Sequence, residues 1–483
     1  MRLITGDNRF KHMTKKIITF LILVITSLGI QAQYDIKIDL DGYQNDTLIA
    51  GYYLGDRQLV LDTLYSQKEG QFRLKGDTLL NEGFYLLLTF PEKQILQFII
   101  DNDQKFEISA AADDLAKVSF KGSKDNEVFM DYVNFIAEKK PAAEAINNEV
   151  DSLELDDPKR IELMAKLDAF DATVKSKQNE VIQKYPQSYT TRLVKANLGL
   201  DIPEFEGTEE ENKKSSYKYY KDHYFDNMDL GDPANLRTSF IHDRINYYMT
   251  KLTTNHPDSI KVAVDYILAK MEPSPDTYQF YLTHFLNTYA RAKIVGMDAV
   301  YVHLVDNYYA AGKAPWAGEE LLTKLKDNSN GIRSTLIGEI APDLTLFMQD
   351  GTPVTLSELE YEYLVLFFHK PDCGHCKKAV PDVVKFYEEY KDKGVKLLSI
   401  CTELGQKAEK CWESIEDKNM GSFINVNDPT HSSRYKSKYY VRSTPKLFIL
   451  DPDRKVLIKD IGANQLMDVM VELERRAAEE SIK

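Results

Sequence analysis

Apolar and polar positions alternate with a period of two between residues 34 and 122. Ile36, Ile38 and Leu40 are separated by polar residues, and Phe72 and Leu74 follow Gly70. The run from Phe84 to Phe90 follows Gly83, and further runs are Leu96 to Ile100 and Phe106 to Ser109. Such alternation puts one face of each strand in a core. Turn residues at short intervals between the runs predict an N-terminal β-sandwich over residues 33–122. Near Gly122 the period changes. Val128, Tyr132, Phe135 and Ile136 have helical spacing. Leu163, Leu167, Phe170, Val174, Val181 and Tyr185 continue it, between Pro158 as a start and Pro186 as a stop. Ile260, Val264, Ile267 and Met271 repeat the stripe. Residues 123–335 are therefore predicted to form a central all-α domain, and no fixed repeat period is present. From Gly338 strands and helices alternate. Strands are predicted at 363–368, 395–402, 423–426, 446–450 and 455–461, and helices at 375–392, through Cys411 and Trp412, and at 465–478. This pattern predicts a C-terminal α/β domain over 336–483, its sheet covered by helices and its last two strands a hairpin. A chain of 483 residues has room for about three such domains.

The first residues carry a different pattern. Lys15 and Lys16 precede an apolar run from Ile17 to Ile30, followed by Gln31, Ala32 and Gln33. This is the anatomy of a secretory signal peptide over residues 1–32, with cleavage after Ala32 and with Met13 as an alternative start. The run is shorter than the roughly 20 residues a membrane span needs. The mature chain is expected in the periplasm or cell envelope. The net charge of -14 would repel phosphate backbones, so no nucleic-acid partner is expected.

The four cysteines are Cys373, Cys376, Cys401 and Cys411, so a disulfide scaffold does not hold the first two domains. Cys373-Gly374-His375-Cys376 follows a buried strand and opens a helix. Free N–H groups and partial positive charge at a helix start stabilise a thiolate, the nucleophile of disulfide exchange. At this spacing Cys373 lies at the tip as the attacker, and Cys376 lies one turn in as the resolving thiol. A zinc site would want a second close ligand pair. Cys401 and Cys411 sit on different elements, and Lys377 stands where a haem-attachment motif needs His. Neither a metal nor an organic cofactor is expected. An inert structural disulfide is the remaining alternative for Cys373 and Cys376. Cys401 and Cys411 could be buried free thiols, which is the leading reading, or a structural disulfide, or an electron relay to the first pair.

The segment from Gly338 onward resembles the thioredoxin-like family, specifically envelope thiol–disulfide oxidoreductases of the TlpA and ResA type. Gly338-Glu339-Ile340-Ala341-Pro342-Asp343 is similar to the entry motif of that group, Pro371 to Lys378 to its active site, and Thr444-Pro445 to its cis-proline loop. The regions ahead of it also resemble accessory regions of secreted bacterial proteins. The resemblance implies that Thr444 offers backbone hydrogen bonds to substrate beside the active sulfur, while Pro445 shapes the groove. It also exposes departures. Phe367 stands where thioredoxins bury an Asp, and Asp372 stands where they have Trp. Gly374-His375 is the dipeptide of protein disulfide isomerase. A cationic His375, with Lys377 and Lys378 if they point to the site, would favour the reduced form, and Asp372 would oppose it. The implied activity is exchange of disulfides with thiol- or disulfide-bearing envelope proteins, coupled to an electron donor or acceptor. Two alternatives remain. One is a thiol peroxidase, although Lys370 stands where those enzymes have Thr. The other is a partner-binding envelope protein in which residues 33–335 hold a ligand and the redox domain is secondary.

Overall fold

The structure is a computed structural model and describes residues 32–154 and 156–481. The expected leader lies outside the described residues, apart from Ala32. The chain packs as two compact units. One comprises residues up to Leu252 with Lys270–Thr277, and the other comprises Thr253–Ala269 with everything from Tyr278 onward.

The first unit opens with eight strands: β1 Tyr34–Asp41, β2 Thr47–Leu54, β3 Arg57–Tyr65, β4 Gln71–Gly76, β5 Gly83–Leu88, β6 Ile95–Ile100, β7 Lys105–Ala111 and β8 Asp114–Lys121. They form two four-stranded sheets, ordered β4-β1-β7-β8 and β3-β2-β5-β6. Ile36 and Ile38 of β1 stand opposite Leu74 and Phe72 of β4 on one side and Phe106 and Ile108 of β7 on the other. Together with Leu48, Ala50, Leu87 and Phe98 of the second sheet they make one core, so the two sheets are a sandwich. Gly70 has φ +72, and a Cβ there would lie 2.4 Å from the Leu40 carbonyl oxygen, so the turn into β4 requires glycine. The apolar runs read from the sequence fall on five of the eight strands. β3 and β8 are sheet edges with mostly exposed faces, which weakens their alternation, and β2 is apolar without alternating.

The helices are α1 Lys124–Asp151, α2 Pro158–Lys184, α3 Tyr189–Ala196, α4 Glu209–Asp222, α5 Ser239–Tyr247, α6 Pro257–Met271, α7 Pro275–Ala290, α8 Asp298–Leu304 and α9 Glu319–Arg333. Asn126 of α1 accepts from the Ile99 N–H and donates to its carbonyl, both at 2.7 Å, which ties the helices to the sandwich. The chain is thus multidomain, with a β-sandwich, a helical region shared between the two units, and a C-terminal α/β domain.

That domain contains β9 Thr345–Phe347, β10 Pro353–Thr355, β11 Tyr363–His369, α10 Gly374–Tyr390, β12 Val395–Cys401, α11 Glu409–Asp417, β13 Ile424–Asn427, α12 Tyr435–Lys438, β14 Lys446–Leu450, β15 Val456–Lys459 and α13 Leu466–Ser481. Its seven strands run β10-β9-β13-β12-β11-β14-β15, with β11 parallel to β12 and antiparallel to β14. β11 is buried on both faces. Val365 and Phe367 pack with Val380, Val383 and Phe386 of α10, while Leu364, Leu366 and Phe368 pack with Tyr435 and Tyr439. A strand buried on both sides is a fixed platform, and the loop that leaves it inherits that rigidity. The short β9–β10 hairpin was not indicated by the apolar pattern; at three residues each, its strands are too short to show a period.

Candidate active site

β11 ends at His369, and Lys370, Pro371 and Asp372 carry the chain to Cys373, the N-cap of α10. Cys373 Sγ accepts a hydrogen bond from the Cys376 N–H at 3.3 Å, and its thiol donates to the Thr444 carbonyl at 3.4 Å. The Thr444–Pro445 peptide is cis. Both cysteines are free thiols, Cys373 half-buried and Cys376 fully buried. Burial works to raise the Cys373 pKa. Hydrogen bonds from the Cys376 thiol and N–H, with Thr444 and the His375 N–H contributing, outweigh it and hold Cys373 below the usual thiol value. Burial, then the hydrogen bond to Cys373, pushes Cys376 up to about 11. The helix start therefore separates the two thiols chemically: one ionises more readily than an ordinary thiol and the other less readily.

The remaining residues named from the sequence sit around this pair. Gly374 is the first residue of α10, and a side chain there would meet nothing within 4 Å. His375, Lys377 and Lys378 are exposed on the first turns. Asp372 is paired with Lys410 of α11 at 2.8 Å, which keeps its carboxyl below the ordinary range and offsets its charge beside the thiols. Phe367 is fully buried and stacks on His369 at 5.0 Å. The place of the thioredoxin acid is thus apolar. Among the described residues no group of His, Cys, Asp and Glu is arranged to hold a metal ion.

Cys401 and Cys411 are bonded to each other, not left as free thiols. The reason is local: β12 ends at Cys401 and α11 brings Cys411 back over it, with Cα atoms 5.9 Å apart. Neighbours of this bond reach the redox loop. Cys401 stands opposite His369 in the β11–β12 ladder. Lys410 holds Asp372, and Lys418 at the end of α11 donates to the Pro371 carbonyl at 3.1 Å. No motif marks His369, Lys410 or Lys418. The one signal for His369 was a titratable side chain at the end of an otherwise apolar strand.

Residues 337–458 match the AhpC/TSA family. This segment is a thioredoxin-like domain of that family. Residues 34–129 and 172–329 match two domain families of unknown function, DUF4369 and DUF5106. A protein named thiol-disulfide oxidoreductase ResA from Bacillus cereus is 27% identical over 126 residues, 26% of this chain and 70% of that protein. Its namesake from Oceanobacillus iheyensis is 32% identical over 84 residues, 17% of this chain and 42% of that protein. Among solved structures, a domain of a possible thiol-disulfide isomerase from Cytophaga hutchinsonii is 29% identical, covering 30% of this chain and 96% of its own, with a TM-score of 0.28. A thioredoxin-like protein from Bacteroides caccae is 17% identical, covering 57% of this chain and 99% of its own, with a TM-score of 0.44. The thioredoxin-like domain is of the thiol–disulfide oxidoreductase type.

Proposed function

We propose that the protein is exported and exchanges disulfides with thiol- or disulfide-bearing proteins of the cell envelope, Cys373 attacking and Cys376 resolving. The observation that carries this reading is the asymmetry of the two thiols at the start of α10: the accessible one has a lowered pKa and the buried one a raised pKa. In the reducing direction the Cys373 thiolate attacks a substrate S–S bond. A mixed disulfide forms and one substrate thiolate leaves. Cys376 gives up its proton and attacks Cys373 Sγ, releasing the second substrate thiol and closing the Cys373–Cys376 disulfide. Two electrons pass from the dithiol to the substrate, and an external dithiol donor restores the reduced pair. Run backwards, the same steps oxidise a substrate dithiol. The chain's own sulfurs carry the chemistry, so no cofactor is invoked.

Export is supported by Lys15-Lys16 ahead of the Ile17–Ile30 run. Among the described residues no helix is long and apolar enough to cross a membrane. The deciding experiment is trapping in whole cells. Cys376→Ser should accumulate mixed disulfides with envelope proteins through Cys373, and Cys373→Ser should accumulate none. The reverse pattern, or an unprocessed cytoplasmic chain in place of one starting near Gln33, would sink the reading.

A further inference from the structure

A groove of about 1070 Å³ opens beside Cys373. One wall comes from the loop and short helix between β13 and β14, with His431, Arg434, Lys436, Lys438, Tyr440 and Arg442 facing it. The other comes from α9 and the residue that caps it, outside the segment that matches the AhpC/TSA family, through Asp327, Asn330, Gly331 and the cap Ser334. The two walls are fitted to each other. Ser334 Oγ donates to the Lys438 carbonyl at 2.7 Å, and Arg442 Nη2 donates to Asn328 Oδ1 at 3.3 Å. A Cβ on Gly331 would lie 2.7 Å from Tyr440 Cδ2, so glycine is what lets α9 approach that ring. Tyr440 is itself held at φ +48, and the Arg442 guanidinium lies 4.7 Å from its ring centroid.

The charge of this groove is one-sided. Five cationic side chains, Lys370, Arg434, Lys436, Lys438 and Arg442, line it with a single carboxylate, Asp327. Glu403 lies 3.9 Å from Lys370 and offsets that cation in part. Among the described residues no carboxylate lies within 4 Å of the amine or guanidinium nitrogens of Arg434, Lys436, Lys438 or Arg442. Beyond Arg442 the surface is mixed, with Glu319 and Glu320 joining Asp327 and only Lys324 adding a cation, so the cationic stretch ends there. Lys438 Nζ donates to the Asp343 carbonyl at 2.9 Å, which satisfies that amine without neutralising it. In a chain of net charge -14, such a concentration of cations beside the nucleophile is not a general property of the surface.

We infer that this groove receives an acidic polypeptide segment flanking the disulfide or dithiol on which Cys373 acts. The inference rests on the exchange reading above and adds to it the chemical class of the partner. Carboxylates on the segment meet Arg434, Lys436 and Arg442 while its sulfur reaches Cys373 Sγ. Complementary charge in a groove acts chiefly on the rate of productive encounter and is screened by salt.

The test uses the reduced full-length chain and two synthetic peptides, each closed by one disulfide. They are identical except that the residues flanking the cysteines are Asp in one and Lys in the other. The Cys373–Cys376 dithiol supplies two electrons, the peptide leaves as a dithiol, and the protein is left with the Cys373–Cys376 disulfide. Each rate is divided by that of dithiothreitol with the same peptide, which removes the peptide's intrinsic reactivity. At low ionic strength the Asp peptide should be preferred about tenfold or more, within the range for electrostatic steering. At an ionic strength near 0.5 M, and in the Arg434→Gln, Lys436→Gln double variant, the ratio should fall toward one. Equal rates, or preference for the Lys peptide, overturn the inference. Neutral 2-hydroxyethyl disulfide separates the two failures. If the wild-type chain reduces it but does not discriminate between the peptides, the exchange reading stands and the acidic partner falls. If the chain reduces none of the three, both fall.

Discussion

Lys418 Nζ donates to the carbonyl of Pro371, two residues before Cys373, and so fixes a cation at the base of the redox loop. Burial, then Lys377, lowers its pKa, while the fields of Cys376 and Asp372 act to keep it charged. Attraction between Lys418 and the Cys376 thiolate is mutual, so Lys418 eases the deprotonation that resolution requires. With Phe367 in the place of a buried acid, no carboxylate on β11 does this.

Lys418→Met should therefore lengthen the life of the mixed disulfide on Cys373. Solvent screening leaves such a pair worth on the order of 1 kcal/mol, or about a fivefold slower resolution at pH 7. Quenched single-turnover reactions with a disulfide peptide would measure it. The rise of the resolution rate with pH should move upward in Lys418→Met and stay near the wild-type position in Lys418→Arg. An unchanged pH profile in the Met variant would show that Lys418 only holds the loop.

The two thiols should also differ in simple alkylation. The thiolate is the reactive form, and the Cys373 pKa lies below the ordinary thiol value while that of Cys376 is near 11. With iodoacetamide at pH 7, peptide mapping should find label on Cys373 with almost none on Cys376. The Cys373 rate should level off at a lower pH than a free cysteine's. Equal labelling of the two residues would contradict the assignment of roles.

Much of this site was legible because local rules act there without competition. A strand buried on both faces, a Cys at a helix start and a second Cys three residues on need only near neighbours to be read. What was illegible depends on residues far apart in sequence. Gly331 and Tyr440 are unremarkable until α9 lies against the β13–β14 connection. Lys410 and Lys418 look like solvated helix residues until α11 brings them to Asp372 and Pro371. The Cys401–Cys411 bond was missed for another reason: its residues are only 10 apart in sequence, but the apolar pattern does not show that α11 turns back over β12. The cationic groove could not be found by composition either, because a chain of net charge -14 hides a local excess of cations.

That second disulfide should brace the site and take no electrons from it. Its sulfurs are buried, and it joins β12 to the helix whose Lys410 and Lys418 hold the redox loop. Closing a loop of about ten residues is worth about 3 kcal/mol in the chain-entropy account. The Cys401→Ser, Cys411→Ser double variant should lose stability of that order in urea. Intrinsic fluorescence can follow it, since both tryptophans, Trp316 and Trp412, lie in the second unit. It should still form mixed disulfides through Cys373. A folded variant that no longer exchanges disulfides would instead make this pair an electron relay.

His369 gives the C-terminal unit a predictable sensitivity to acid. Its ring is buried against Phe367, with Nε2 2.9 Å from Ser399 Oγ and Nδ1 without a protein partner. Burial, reinforced by Lys418, pushes its pKa down to about 3. In the unfolded chain the same ring takes up its proton near 6.5. Between those values the unfolded state binds more protons than the folded one, so stability falls as pH drops from about 6.5 toward 3 and is unaffected by this group above 7. From pH 7 to pH 5 the loss due to His369 should be about 2 kcal/mol. His369→Gln can keep a hydrogen bond to Ser399 and cannot titrate. Urea midpoints at pH 7 and pH 5, read by tryptophan fluorescence, should therefore shift less in the variant, by roughly that amount. Equal shifts in the two proteins would mean that His369 is already protonated in the fold, or that other groups dominate its acid response.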